Sequence, residues 1–196
     1  MAKAPSLFKG NEVAIPDSLM DRFRGTNQRV MGGGTTYRRL SIRGNRFRKI
    51  VNGEQQIVTK DSEMNIVVID AAPVGRTYFE SGWDPENPAP PSCWSTDGKE
   101  PSPDVPDDQK QNDKCATCPM NVKGSGNNNT RACRFSQRLA VAIEGDLDTI
   151  YQLQVPAQSI FGKPENNRMP LQAYVRTLHE YDTPINVVVT EMSFDE

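Results

Sequence analysis

Four cysteines are the residues of this chain whose type and spacing most directly imply chemistry. They are Cys93, Cys115, Cys118 and Cys133, and they follow the spacing Cys-x21-Cys-x2-Cys-x14-Cys. The central Cys-Ala-Thr-Cys knuckle lets two thiolates reach one tetrahedral ion, and the outer two cysteines complete its coordination. Because four thiolate ligands leave no position for a catalytic water, the sequence predicts one Zn²⁺ ion with a structural role.

Three alternatives for the same cysteines stay open at this stage. Two disulfides, an iron–sulfur cluster and a redox Cys-x-x-Cys pair would all use these residues. The first nine residues lack the apolar core of a secretion signal, so we expect a reducing cytoplasm, where disulfides are rare. Zinc also explains how residues 83–135, which are rich in Pro, Asp, Asn, Ser and Gly, become ordered.

A second group of residues that implies chemistry is a set of arginines on a predicted hairpin. Gly44-Asn45 predicts a two-residue turn between strands at 35–43 and 46–51, and Asn52-Gly53 predicts a second turn into a strand at 54–58. Alternation along the first two strands places Leu40, Ile42, Phe47 and Val51 on one face. The opposite face carries Arg39, Arg43, Arg46 and Arg48.

Arginines that share one face of a sheet repel each other, so this face predicts a bound anion or acids supplied from elsewhere in the chain. Arginine suits phosphates because its planar head binds two oxygens at once and stacks on bases. The nucleic-acid interpretation adds aromatic stacking partners, namely Tyr37, Tyr78, Phe79, Trp83 and Trp94. Three further cations near the cysteines extend the predicted track: Lys123, Arg131 and Arg134.

The charge distribution points the same way. Residues 1–60 hold 12 Lys and Arg against 4 Asp and Glu, whereas the remaining 136 residues hold 11 against 21. The net charge of −2 therefore hides a basic front and an acidic remainder, which favours an anionic partner for the front. No apolar run approaches the roughly 18 residues of a membrane span, so no membrane partner is expected.

We expect the cysteines and the arginines to be positioned by the fold of a mostly β protein with one or two helices. We expect an N-terminal arm and short helix at 1–34, and a first part of an antiparallel β core at 35–82. An inserted zinc loop follows at 83–135, and the second part of the core at 136–196 contains a helix at about 166–181. Helix-spaced Met169, Leu171, Val175 and Leu178 support that helix, and residues 185–192 form a last strand.

This layout resembles an OB-fold, an antiparallel barrel, with an inserted four-cysteine zinc subdomain. It is similar in architecture to the zinc-containing single-stranded DNA-binding proteins of T4-type bacteriophages, whose metal sites mix histidine and cysteine. A closer resemblance is to bacteriophage proteins with a Cys-x-x-Cys-Pro motif, a Gly/Asn-rich stretch and a last Cys before Arg-x-x-x-Arg-Leu-Ala. Here these are Cys115–Pro119, Gly124–Asn129 and Cys133–Ala140.

The resemblance implies a protein that coats single-stranded DNA without sequence specificity in phage replication or recombination. It implies single-stranded DNA and replication proteins as partners, in the cytoplasm of an infected bacterium. The sequence does not separate DNA from RNA and does not give the oligomeric state.

Two other function classes compete with this one. A protein-docking module that binds a host or phage polymerase would suit the acidic remainder and the zinc loop. A metal-dependent nuclease would need scattered acids such as Asp61, Glu63 and Asp70. With one histidine, His179, and no paired-carboxylate motif, the sequence predicts that the chain is not an enzyme.

Overall fold

The computed structural model describes residues 37–42, 44–58, 62–81, 89–165 and 168–194. The strands are β1 (Arg38–Ile42), β2 (Phe47–Val51), β3 (Glu54–Val58), β4 (Glu63–Ala71), β5 (Gly75–Tyr78), β6 (Cys93–Ser95), β7 (Arg134–Ile143), β8 (Asp146–Pro156) and β9 (Thr190–Ser193). The helices are α1 (Ala157–Ile160) and α2 (Leu171–Glu180), with short 3-10 turns at Cys115–Thr117, Pro119–Asn121, Asn127–Asn129 and Ile185–Val187. The predicted helix near residues 15–23 lies outside the described residues.

The strands of the described residues form one nine-stranded sheet in the order β3-β2-β1-β8-β7-β4-β9. β5 continues beside β7 where β4 ends, and β6 pairs with the free edge of β5. All pairs are antiparallel except β1 with β8, where Arg39 faces Gln152 and Leu40 faces Leu153. The sheet is strongly curled into a half-barrel, so the prediction of a mostly β protein with helices is confirmed.

The predicted meander is present with the predicted register. Ile42 faces Phe47 and Ser41 faces Arg48 across the β1–β2 hairpin. Gly44 and Asn45 have φ of 61° and 51°, and Asn52 and Gly53 have φ of 52° and 87°. Two consecutive residues with positive φ define the hairpin turn whose twist matches paired strands, which is why Asn and Gly occupy these turns.

The core lies on the inward face of the curled sheet. Its fully buried side chains come from β1, β2, β4, β7, β8 and α1: Leu40, Phe47, Ile66, Val141, Leu153 and Ile160. The Phe47 ring lies 4.6 Å from the Phe194 ring, which joins β2 to the segment after β9. Each such side chain contributes about 1.5–3 kcal/mol on burial, and this packing fixes which face of every strand points outward.

Helix α2 is shorter than the sequence predicts. It starts at Leu171 with Pro170 as its N-cap, instead of at about residue 166. The ring of Pro170 disfavours helical backbone at the residue before it, so the helix cannot extend back through Met169. The predicted last strand at 185–192 is divided into a 3-10 turn that follows Pro184 and the strand β9. In the described part of the chain, neither helix has the length and apolarity needed to cross a bilayer.

Candidate functional site

The four cysteines come from three separate parts of the fold and meet at one cavity. Cys93 opens β6 and faces Tyr78 of β5. Cys115 and Cys118 lie at two successive 3-10 turns, and Cys133 directly precedes β7. All four are free thiols, and Cys115, Cys118 and Cys133 are buried. The strands β5, β6 and β7 thus provide the frame on which the knuckle folds.

Backbone hydrogen bonds hold this loop against the frame. The Cys115 N–H donates to the Lys99 carbonyl over 2.8 Å, and the Cys133 N–H donates to the Met120 carbonyl over 2.8 Å. The Asn121 side-chain amide donates to the Cys115 carbonyl over 3.2 Å and closes the knuckle on itself. These contacts bring Cys133 next to Cys115 and Cys118.

The shared cavity has a volume of about 20 Å³ and is lined by all four cysteines together with Arg76, Tyr78 and Trp94. A space of roughly 10–15 Å³ already holds one water-sized guest, so this cavity fits a single atom. Burial raises the pKa of the Cys133 thiol to about 11, and the neighbouring cysteines add to that rise. Burial also raises the pKa of Cys115, against the opposing effects of a Ser95 hydrogen bond and the Arg76 charge.

Arg76 on β5 brings a positive charge to this cavity. Its Nη1 donates to the Cys115 carbonyl over 3.2 Å, and its Cζ lies 4.3 Å from the Phe135 ring centroid. Gly98 has φ of +74°, and a Cβ there would lie 3.6 Å from Arg76 Nε and 2.8 Å from the Val74 carbonyl oxygen. The Arg76 Nε is buried without a hydrogen-bond acceptor in the described residues. A half-buried cation with one buried, unused donor is a feature that anionic groups stabilise.

The side chains of the described residues do not show a metal site. Across the ranges that the structure describes, no group of three or more His, Cys, Asp or Glu side chains has an arrangement that could hold a metal ion. The cysteines share one cavity, but the zinc ion predicted from their spacing stays a prediction. His179, the one histidine of the chain, lies near the end of α2 and does not line this cavity.

The arginine face predicted from the sequence lies on the outward side of the sheet. Arg39 and Arg46 are exposed, and Arg48 is half-buried with its Nη1 donating to Gln55 Oε1 over 3.2 Å. The cross-strand register continues this side through Gln152 of β8, which faces Arg39, to β7. There Arg138 faces Gln154, so a fourth arginine joins the surface. We call this surface the basic sheet face: Tyr37, Arg39, Arg46, Arg48, Arg138 and Gln152.

Tyr37 is the aromatic residue that joins the basic sheet face. Half of its surface is exposed (50%), and its hydroxyl donates to Gln152 Oε1 over 2.9 Å. Lys49, which fitted the predicted pattern poorly, lies on the inward side opposite Leu40. Its ammonium group lies 5.8 Å from the Tyr151 ring centroid, a cation–π distance that explains how a lysine is accommodated there.

No acid of the described residues forms an ion pair with an arginine of the basic sheet face. The one ion pair of the described residues joins Lys110 to Asp107, in the cysteine loop. Arg39, Arg46 and Arg138 make no side-chain hydrogen bond and no ion pair within the same described ranges. The alternative in which the acidic remainder of the chain folds onto these arginines therefore has no support in this part of the structure.

The other predicted nucleic-acid contacts lie elsewhere. Tyr78 and Trp94 line the cysteine cavity, and Phe79 is half-buried. Lys123, Arg131 and Arg134 are exposed in or beside the cysteine loop, and the Arg131 Nε donates to the Asn121 carbonyl over 2.8 Å. Arg43 and Trp83 lie outside the described residues. The sequence thus predicted one surface, and the structure distributes its members over two regions of the sheet.

Sequence reasoning missed Arg76 and Arg138 as site residues. The signal for Arg138 was the alternation of Arg138 and Ala140 with the buried Leu139 and Val141 along β7. That alternation places Arg138 outward, but only the order of the strands brings it beside the meander. For Arg76 no local signal exists, since its role depends on a knuckle about forty positions later in the chain.

The acids proposed for a nuclease do not meet. Glu63 starts β4 and Asp70 lies near its end. At about 3.3 Å per residue, seven residues of strand separate them by roughly 23 Å, too far to ligate one ion. Asp61 lies outside the described residues.

Comparisons with known proteins give no relative for this chain. No protein-family model matches it, and no curated protein or solved structure matches it either.

Proposed function

We propose that this chain binds single-stranded DNA without sequence specificity, through the basic sheet face, and that one structural zinc ion holds its cysteine loop. The observation that carries the DNA-binding proposal is the set of arginines without acidic partners in the described residues. Cations that are left unpaired on one face attract a partner that supplies negative charge along a line, as a phosphodiester backbone does.

The form of the surface favours a single strand over a duplex. The basic sheet face is built from adjacent strands, and neither α1 nor α2 contributes a residue to it. Sequence-reading proteins usually insert a helix or a two-stranded ribbon into the major groove. Single-strand binders instead combine a charged sheet surface with exposed rings on which bases stack. Tyr37 offers such a ring, and Ile150, two residues before Gln152 on β8, is 49% exposed.

Support for the zinc ion comes from the chemistry of the cavity. Four thiols line a space of atomic size, and their spacing in the sequence matches a closed structural site. Four thiolates around Zn²⁺ carry a net charge of about −2, which a nearby guanidinium offsets. Arg76 provides that charge, with a buried Nε that lacks an acceptor among the described residues. The ion would fix the loop and take no part in a reaction.

The remaining parts of the proposal follow from the resemblance stated for the sequence. The curled sheet with its small helical content is compatible with an OB-fold-like barrel, and that assignment remains proposed. We also propose, from the same resemblance, a role in bacteriophage DNA replication or recombination. Its partners would be replication proteins, and its location would be the cytoplasm of an infected bacterium. The proposed chemistry is binding, and no catalytic residue is assigned.

The test is a fluorescence-anisotropy titration of labelled 20-nucleotide single strands and of the matched duplex. We expect tighter binding of the single strand, and an affinity that falls steeply with salt because phosphate contacts release counterions. Equal binding of strand and duplex would contradict the proposal, as would affinity that is insensitive to salt. Absence of binding at low salt would also reject it and would favour the protein-docking alternative, for which the exposed acids of the cysteine loop are the first surface to examine.

A further inference from the structure

A groove of about 300 Å³ lies at the edge of the basic sheet face, next to β4, and two residues of that face, Arg138 and Gln152, line it. Its floor is Ala140 on β7, which faces Asp70 of β4 on one side and Gln152 of β8 on the other. Arg138 and Ile150 complete the walls. Because alanine is the smallest of the three residues in this row, the surface dips between a carboxylate and an amide. The volume lies at the low end for small-molecule sites, roughly 300–1,000 Å³, and suits one small ring system.

The two walls of this Ala140 groove differ in hydrogen-bonding character. Gln152 Oε1 accepts the Tyr37 hydroxyl over 2.9 Å, which fixes the amide and leaves its Nε2 hydrogens without an acceptor in the described residues. Asp70 Oδ1 accepts the N–H of Ala71 over 2.8 Å, and within the described ranges no donor reaches Oδ2. The groove therefore presents spare donors on one side and a spare carboxylate oxygen on the other.

The carboxylate of Asp70 indicates which part of a nucleotide the groove binds, because a carboxylate does not suit a surface that binds phosphates only. A phosphodiester beside Asp70 would be repelled, whereas Arg138 in the groove wall and the arginines of β1 and β2 beyond Gln152 attract it. A strand that crosses the face is therefore favoured when it turns a base, and not its backbone, toward Asp70. Bases with an exocyclic amine donate to a carboxylate, as the N4 amine of cytosine does. Uracil and thymine have carbonyl oxygens in that position, which the carboxylate repels.

We propose that the Ala140 groove is a nucleobase subsite that favours bases with an exocyclic amine over uracil and thymine. The inference rests on the proposed single-strand binding and adds to it a bias in base composition. The bias is limited to one base for each bound protein, so it does not amount to a recognition sequence. Asp70 would accept the amine, Gln152 would donate to a ring acceptor of the same base, and Arg138 would hold the adjoining phosphate.

The experiment compares oligo-dC with oligo-dU of equal length, which differ chiefly in the amine and the neighbouring ring nitrogen. Wild-type protein should bind oligo-dC about three- to tenfold more tightly at the same salt concentration. Asp70→Asn, which keeps an oxygen for the Ala71 N–H but can also donate, should reduce that ratio to about one. Glu63→Gln is the matched control, since it removes a carboxylate from the opposite end of the same strand and should leave the ratio unchanged.

The outcomes separate the two proposals. If both oligonucleotides bind tightly with equal affinity, the subsite is wrong and the single-strand binding stands. If wild type discriminates but Asp70→Asn discriminates equally well, the subsite assignment is also wrong, because the carboxylate then has no part in the choice. If neither oligonucleotide binds, the proposed function fails and the subsite fails with it.

Discussion

The guanidinium of Arg76 lies 4.3 Å from the ring centroid of Phe135, and the same ring packs edge-on against Phe161 at 5.4 Å. The aromatic ring therefore holds the cation from one side while the Cys115 carbonyl accepts from its Nη1. Phe135 is the second residue of β7, so the strand that forms the sheet also sets the charge at the cysteine cavity. Contacts within the chain thus hold the guanidinium at the wall of the cysteine cavity.

Replacing Arg76 by methionine should weaken zinc binding by about tenfold, because the thiolate centre loses its nearest compensating charge. Affinity can be measured by competition with a chromogenic chelator. Arg134→Gln is the control, since it removes an exposed arginine from β7 directly opposite Thr77 of β5. Equal affinities for the two variants would mean that Arg76 packs against the cavity without an electrostatic role.

Replacing Cys115 by serine should remove the bound zinc and make residues 89–133 more susceptible to protease, because the loop has few apolar side chains and, although still folded, opens more often without the metal. Elemental analysis and limited proteolysis report the two effects. Ala116→Ser is the control, because it introduces the same hydroxyl at the next residue, which is exposed. It should change neither the zinc content nor the protease sensitivity. A Cys115→Ser protein that keeps one equivalent of zinc and full protease resistance would refute the structural role.

In metal-free protein the stability should fall between about pH 9 and pH 11. The pKa of Cys133 rises from 9.0 to about 11 on burial, so the unfolded chain loses this proton first and deprotonation favours unfolding. The contribution of Cys133 is complete below pH 9 and is lost as the pH rises through 11. Urea midpoints at about pH 8 and about pH 10.5 measure the change, after treatment with a chelator.

The Cys133→Ala variant isolates this effect, since other groups also titrate in alkaline solution. Its urea midpoint should change less between the two pH values than that of the unaltered chain. Parallel changes in the two proteins would show that Cys133 does not titrate in this range. In zinc-loaded protein the urea midpoint should also change less between the two pH values, because the bound thiolates have already released their protons.

The double variant Arg39→Ala with Arg48→Ala should weaken single-strand binding about equally on all sequences and reduce the salt slope by about two. Each arginine lost removes one phosphate contact and the counterion that it releases. Anisotropy titrations at several salt concentrations give both quantities. Arg176→Ala is the matched control, since Arg176 is exposed on α2, away from the basic sheet face. Equal losses in the two proteins would place the binding surface elsewhere.

The meander could be predicted almost residue by residue. Asn and Gly in two-residue turns determine both the turn type and the register, so Ile42 had to face Phe47. The inward position of Leu40 and the outward position of Arg39 followed from alternation alone. These are local properties, and local patterns in the sequence are sufficient to determine them.

The order of the strands could not be predicted, because it depends on pairings between distant parts of the chain. The parallel contact of β1 with β8 places Arg138 on the same face as the arginines of the meander, two strands from Arg39, and no pattern near Arg138 indicates it. β6 was missed for a similar reason, since three residues form a strand there only because β5 provides an edge. The cysteine cavity followed from spacing, whereas Arg76 at its wall did not.

The parallel pairing of β1 with β8 also has a consequence for the order of events during synthesis. Tyr37 and Gln152, which meet across it, are 115 positions apart. A ribosome that adds roughly 5–20 residues per second needs on the order of ten seconds to make the intervening chain. The arginines of the meander therefore emerge well before the strands that align them with Arg138. An unfinished chain has the charge but not the surface, and the basic sheet face is complete only after β8 has been made.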